Sequence, residues 1–549
     1  MPNWTPGSYL IREYAGNVNR ISAVSGDGTS LDVRKISKDR WQVNTGQSTT
    51  LIVNYEVFTP EINVNASWVS KAFALINGAS VFLYTMQTRD SPQLLTINTD
   101  AERGEVFTSL LPDPDSGLLR AENYDELVDS PVAVANAMSW PFIQADQEYA
   151  LVNVGEQDFW DGDQAARDVA KIVSETQVFW GSNPLRKPYW FLNFAVEANG
   201  GLEHDHSTVI LTGRRQMRDR DHYIQWLGVV AHEFFHVWNV RSMRPVDLAR
   251  YDYQHEQYTS QLWLAEGLTS YYDNVLLARA GLINPTEYMD LLAREIYRLE
   301  TTPGRLLRPV TEASVDAWIR HYQPNSNSVN STISYYIKGA VIGFVLDTYL
   351  RRQSKDRYNL DDVMRKMYSL YSADPYSSEA FENVVADIGG AGAKTFLHAL
   401  LTTTADPDVD TALDWYGLEL VRDPGAVLNG SNTRSQPSGL GVTWVKDKEG
   451  LIVETVLAGS SGSLAGLMPA DEILAIGDER LTSATLDNLM SSFRPGEELT
   501  LLISRRGKII RREIKLDSAI PDRYEIVVQA GFKKKHIKYL RNLLGQKIR

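Results

Sequence analysis

Residues 232 to 236 read His-Glu-Phe-Phe-His. They lie inside Leu227-Gly-Val-Val-Ala-His-Glu-Phe-Phe-His-Val-Trp-Asn239, a largely apolar stretch without proline, which reads as a helix. On a helix, positions i and i+4 lie one above the other. His232 and His236 can therefore aim two imidazoles at one Zn2+. Glu233 falls on a neighbouring part of the same surface, where it can take a proton from water activated at the metal. A structural pair of helix histidines would share this spacing. A catalytic zinc also needs a third protein ligand and an open position. The best candidate is Glu266, in Leu262-Trp-Leu-Ala-Glu-Gly-Leu-Thr-Ser-Tyr-Tyr272. A carboxylate inside an apolar helix is costly unless it is paired or bound to a metal. Taken alone, Glu266 would read as a helix glutamate facing solvent or paired with an arginine.

Composition narrows the chemistry. The 549 residues include no cysteine, which excludes disulfides and thiolate metal sites. Any zinc must then use histidine and carboxylate ligands, which tilts toward a catalytic site. The net charge of −14 argues against a nucleic-acid partner and a generally basic membrane surface. No run of 18 apolar residues appears, so no membrane span is expected. The start, Met1 to Tyr9, has no basic region followed by an apolar core and does not read as a signal peptide. A cytoplasmic location follows by default.

The length calls for several domains and the pattern for a multidomain α+β chain. Residues 1–158 read as an N-terminal β-sheet domain. Leu51, Val53, Tyr55 and Val57 alternate with polar residues, and Asn77-Gly78 carries a hairpin signal. Residues 159–425 read as a mostly helical catalytic domain. It includes an early apolar strand, Tyr189–Val196, and helices at Leu262–Ala280, Pro285–Leu299 and Ile337–Arg352. Asp423–Ser438 is rich in Pro, Gly, Asn and Ser and reads as a linker. Short strands return over 437–518. Residues 519–549 form a basic tail, expected to be helical and to pack on the body; Phe532–Arg549 holds seven Lys or Arg and no acid.

The pentad, Trp263-Leu-Ala-Glu-Gly267 and Tyr335-Tyr-Ile-Lys-Gly339 together resemble the gluzincin metallopeptidases. Within them, the chain resembles the glycyl aminopeptidase family, whose members carry a C-terminal PDZ domain. Trp4-Thr-Pro-Gly-Ser-Tyr-Leu-Ile-Arg-Glu13, Gly200-Gly-Leu-Glu-His204 and Glu312-Ala-Ser-Val-Asp-Ala-Trp-Ile319 carry the resemblance along the chain. It implies a thermolysin-like catalytic domain with one Zn2+ per chain on His232, His236 and Glu266, and Glu233 as general base. It implies that Tyr336 donates a hydrogen bond to the oxyanion, a role a phenol can fill; Tyr335 is adjacent. It also implies that Gly200 and Gly201 bind peptide backbone while Glu203 captures the substrate's free amine. A second metal on Glu203, His204 and His206 is the rival, disfavoured because alternate strand residues face opposite ways. In thermolysin-like enzymes an acid can follow the glutamate ligand by four residues. Here Ser270 stands there, so a backbone carbonyl or another acid, such as Asp273, must orient the histidines. In the family the Trp4–Tyr9 phrase follows a leading β segment, so the first domain is expected to lack its opening strands or to begin at a shortened start.

Gly439-Leu-Gly-Val442 and the later Gly462–Gly477 look like a PDZ domain. There a glycine-containing loop (Gly439, Leu440, Gly441 and Val442) offers backbone N–H groups to a peptide's C-terminal carboxylate. Ser483–Phe493 would supply the helix beside the groove. The expected activity is removal of small N-terminal residues, chiefly Gly and Ala, from peptides with a free N-terminus. The alternatives are a peptide-binding PDZ protein with a relic zinc fold and a zinc endopeptidase.

Overall fold

A computed structural model of the chain describes residues 1–545 apart from 60, 100–101, 156–158, 424–426, 429–433, 436–437, 448–449, 483–484, 486–488 and 491. It divides into two compact units. The first comprises Met1–Thr259, Tyr272–Ile283 and Asp361–Val384. The second comprises Ser260–Tyr271, Asn284–Leu360 and Val385–Arg549.

The first unit opens with antiparallel strands. Leu51–Val57 pairs with Val18–Ser25, and Val53, Tyr55 and Val57 take its half-buried positions. The hairpin expected at Asn77-Gly78 does not form. Phe73–Ile76 instead lies between Trp68–Val69 and Val132–Ala135. The Asn77 side chain accepts a hydrogen bond from the Ala79 N–H and starts a 3-10 turn at Gly78–Ser80. A two-residue type I′ hairpin needs positive φ at both turn residues, whereas Asn77 has φ −88°.

A five-stranded sheet follows. Its strands are β1 (Met138–Gln144), β2 (Gln147–Gly155), β3 (Tyr189–Ala195), β4 (Gly200–Glu203) and β5 (Ser207–Thr212), in the spatial order β1-β2-β3-β5-β4. It joins strands from both sides of residue 158, so β1 and β2 belong with the strand that precedes the histidine helix. Strands β2, β3 and β5 run parallel. They are near-continuous apolar runs, as strands covered on both faces must be. Helix α1 (Gly162–Trp180) makes the crossover from β2 to β3 that parallel strands require. Helix α2 (Arg220–Phe235) starts where the Asp219 side chain accepts from the His222 N–H. Phe234 on α2 packs against Tyr189 and Phe191 of β3, with ring centroids 5.1 and 5.6 Å away. The helix also packs on β4, which is paired only with β5 among the described residues.

Trp263–Gly267, in the second unit, forms a π-helical turn that runs directly into α3 (Leu268–Arg279), whose residues from Tyr272 onward belong to the first unit. The helix expected at Leu262–Ala280 is therefore two kinds of helix in succession. Helix α4 (Tyr335–Ser354) begins at Ser334, whose side chain caps the Ile337 N–H. The π-turn and α4 meet at two glycines. A Cβ on Gly267 would lie 2.6 Å from the Gly339 Cα, and one on Gly339 would lie 2.7 Å from the Gly267 Cα.

The C-terminal sheet runs β6 (Val442–Asp447), β7 (Gly450–Val456), β8 (Glu472–Ile476), β9 (Glu498–Arg505) and β10 (Lys508–Lys515). Leu451, Val453, Ile473, Leu501, Ile503 and Ile514 form its core. Most of the expected linker lies outside the described residues, as does much of the expected groove helix. The expected tail is in part a strand: Arg523–Val528 pairs with Leu418–Asp423. Helix Lys534–Leu544 follows and buries Leu540, Leu543 and Leu544. No helix among the described residues is long and apolar enough to cross a membrane.

Candidate active site

Helix α2 delivers His232, Glu233 and His236 at its C-terminal end. The two imidazoles are 4.7 Å apart between centroids. The His236 Nδ1 lies 2.8 Å from the Asn239 carbonyl oxygen. A carbonyl only accepts, so Nδ1 carries the proton and Nε2 keeps its lone pair. The His232 Nδ1 lies 3.4 Å from the Asp273 carboxylate. Both options that the sequence leaves open are thus used, one by each histidine. Burial pushes the Asp273 carboxyl above its ordinary value, against the opposing pull of His232. Glu266 sits buried on the π-turn, seven residues before Asp273 on one continuous helical segment.

Among the described residues, two groups bring ligand atoms within 4.8 Å of one another: His232, His236 and Glu266, and Glu203, Glu233 and His236. The first group, two imidazoles and a carboxylate with no thiolate, is a donor set that suits Zn2+ with a position left open. The second holds two buried carboxylates. Like charges this close need a cation or a proton between them.

Strand β4 explains how Glu233 and Glu203 come so near. A Cβ on Gly201 would lie 2.1 Å from Glu233 Oε1, so the carboxylate rests against bare backbone. Gly200 has φ +153°. The turn after Glu203 is clamped from behind. The Asp205 N–H donates to Asp129 at 2.8 Å, and Arg241 pairs with Asp129 at 2.8 Å and Asp205 at 2.6 Å. The His204 Nδ1 lies 3.2 Å from Asp129. With His204 turned to Asp129, neither it nor His206 joins Glu203 in a metal group among the described residues. Nothing in the sequence marks Asp129 or Arg241, which come from distant segments.

On α4 the structure separates two adjacent tyrosines. Tyr335 is fully buried, whereas Tyr336 keeps part of its surface exposed. Their rings stack at 4.7 Å, and His321 tilts over Tyr336 at 5.3 Å. Burial, and then the Glu266 carboxylate, hold the Tyr336 phenol well above its ordinary pKa. It is therefore a hydrogen-bond donor. His321 escapes sequence reading because no motif contains it.

In the C-terminal module, the Leu440 carbonyl accepts from the Gly462 N–H and the Gly441 carbonyl from the Leu457 N–H, each at 2.8 Å. Gly439 lies in a short strand paired with Asp517–Ser518, and Val442 opens β6.

Residues 1–136 match the family model for the peptidase M61 N-terminal domain, residues 225–342 that for M61 glycyl aminopeptidase, and residues 431–504 that for the PDZ domain. The chain is similar to the crystal structure of an aminopeptidase N family protein from Idiomarina loihiensis. The two are 29% identical, with 98% of this chain and 94% of that one covered and a TM-score of 0.90. An M1 zinc metallopeptidase from Deinococcus radiodurans is a more distant match, 14% identical over 71% of this chain and 86% of that one, with a TM-score of 0.44. No curated protein matches the chain.

Proposed function

Because the chain belongs to the M61 glycyl aminopeptidase family, and so to the metallo-aminopeptidases, we propose that it uses zinc to remove N-terminal residues, chiefly Gly and Ala, from peptides. His232, His236 and Glu266 would hold one Zn2+. When bound, the ion supplies Lewis acidity to the scissile carbonyl and to the attacking water. Glu233 takes a proton from that water and returns it to the leaving amine. Tyr336 donates a hydrogen bond to the carbonyl oxygen as it becomes negative. Gly200 and Gly201 offer the substrate backbone a strand edge without side chains. Glu203 pairs with the free α-ammonium. In the PDZ module, Gly439–Val442 would receive a peptide's C-terminal carboxylate.

The observation that carries the exopeptidase reading is the Glu203 carboxylate within 4.8 Å of Glu233 and His236. A substrate ammonium is the counter-charge that such a pair of carboxylates calls for, and it fixes the first peptide bond as the one cleaved. The preference for Gly and Ala rests on the family alone. The test compares a glycyl chromogenic amide with its N-acetyl counterpart, in wild type and Glu203→Ala. Wild type is expected to favour the free amine by about 100-fold, the ~3 kcal/mol that losing one partner of a buried charge pair costs. Glu203→Ala should lose most of that preference, chiefly through KM. An unchanged preference would remove the role.

A further inference from the structure

The Trp4–Tyr9 phrase takes no part in the chemistry above, yet it reaches the site. Pro6-Gly7 forms the tip of a tight turn. The Ser8 N–H donates to the Thr5 carbonyl at 3.1 Å, and Gly7 has φ +83°. Proline followed by a left-handed glycine is the residue pattern of a type II turn. The turn is anchored on both sides. Trp4 is fully buried, and its Nε1–H donates to the Asp252 carbonyl at 2.8 Å. Its ring stacks on Tyr9 and meets Tyr251 edge-on, at 6.3 and 6.0 Å. The Ser8 hydroxyl accepts from Asn65 at 3.1 Å and from Arg12 at 2.8 Å.

The tip of this turn bears on Glu203. A Cβ on Gly7 would lie 2.6 Å from Oε2 and 2.9 Å from Oε1 of Glu203, and 2.6 Å from the Leu202 Cδ1. The same carboxylate approaches Glu233 and His236 within 4.8 Å. Glu203 thus lies against a rigid wall that has no side chain where they touch.

We propose that Gly7 is the positioning residue for Glu203, its bare backbone fixing how the carboxylate meets the substrate's amine. This rests on the reading of Glu203 as the amine anchor. A methyl group at Gly7 cannot be absorbed by the turn, whose flanking residues are buried and hydrogen-bonded. The Glu203 carboxylate and the Leu202 side chain, each 2.6 Å from the added Cβ, must give instead, and a carboxylate displacement of about 1 Å can cost about 100-fold in a preorganised site. The loss should fall on substrate binding, because the atoms nearest an added Gly7 Cβ belong to Glu203 and Leu202.

The test is a double-mutant cycle read on the glycyl amide, with zinc content measured in every variant. Gly7→Ala should raise KM at least tenfold, keep kcat within threefold and keep its zinc. Glu203→Asp is one methylene shorter and withdraws from the space the new methyl takes. Gly7→Ala with Glu203→Asp should therefore have the KM of Glu203→Asp alone. Gly28→Ala is the control for backbone strain, with φ +88° and no atom within 4 Å of its added Cβ; it should leave KM unchanged. If the two KM effects multiply in the double variant, or if Gly28→Ala raises KM as much, the proposal is overturned. Should Gly7→Ala fail to fold, restored folding in the Glu203→Asp background supports the contact, and failure in both backgrounds overturns it. If Glu203→Ala keeps its preference for the free amine, the anchor reading falls and this inference with it. If that preference is lost while Gly7→Ala keeps its KM, only this inference falls.

Discussion

Gly201 and Gly441 both belong to segments proposed to receive a peptide terminus, and at both a side chain is excluded. The obstacle differs. At Gly201 an added Cβ would meet the Glu233 carboxylate at 2.1 Å, and the backbone is not left-handed. At Gly441 it would meet the Ser460 Cβ at 2.2 Å, and φ is +63°. Gly201 is bare because the Glu233 carboxylate, the proposed general base, occupies the place of its side chain. Gly441 is bare because its loop must turn and close on itself. Glycine-led segments that look alike in sequence therefore answer to different demands, one from chemistry and one from folding.

Substitution at each position separates the two demands. Gly201→Ala should displace Glu233 and lower kcat by about 100-fold while the protein keeps its zinc; kinetics beside metal analysis checks this. Asp273→Ala probes the metal separately from the base. If His232 is a zinc ligand as proposed, losing the carboxylate behind it should weaken zinc affinity by about 10–100-fold. Under saturating zinc, its kcat should stay far closer to wild type than that of Gly201→Ala, as competition with a chelator beside turnover would reveal. The smallest effect is expected for Gly441→Ala. It should cost the C-terminal module more than about 1 kcal/mol in a melt, since alanine strains at positive φ, and leave amide turnover unchanged. Loss of turnover in Gly441→Ala comparable with that in Gly201→Ala would break the comparison.

What the sequence makes legible here is local. His232, Glu233 and His236 declare themselves by spacing on one helix, and Glu266 by being a carboxylate in an apolar one. The Glu233–Gly201 contact joins residues 32 apart through an edge strand and a helix, so no spacing announces it. The partner of His236 is the Asn239 carbonyl, a backbone atom that every residue type carries. Asn77-Gly78 is a local hairpin signal overruled by an equally local one, the Asn77 side chain capping the Ala79 N–H. Strands β1 and β2 read as the end of the β-rich start because alternation does not say which sheet a strand joins. The reciprocal glycines Gly267 and Gly339 end the Trp263–Gly267 and Tyr335–Gly339 motifs, yet their shared role becomes visible only when the π-turn and α4 are seen to touch.

The most direct test of the central claim is hydrolysis of a glycyl amide by zinc-loaded wild type and Glu233→Gln, each with and without a chelator. Wild-type turnover should vanish on chelation and return with added Zn2+. Glu233→Gln should keep its zinc and lose about 100- to 10,000-fold in kcat, the range expected of a general base. Turnover that survives removal of the metal, or a Glu233→Gln variant as fast as wild type, would contradict a zinc aminopeptidase built on these residues.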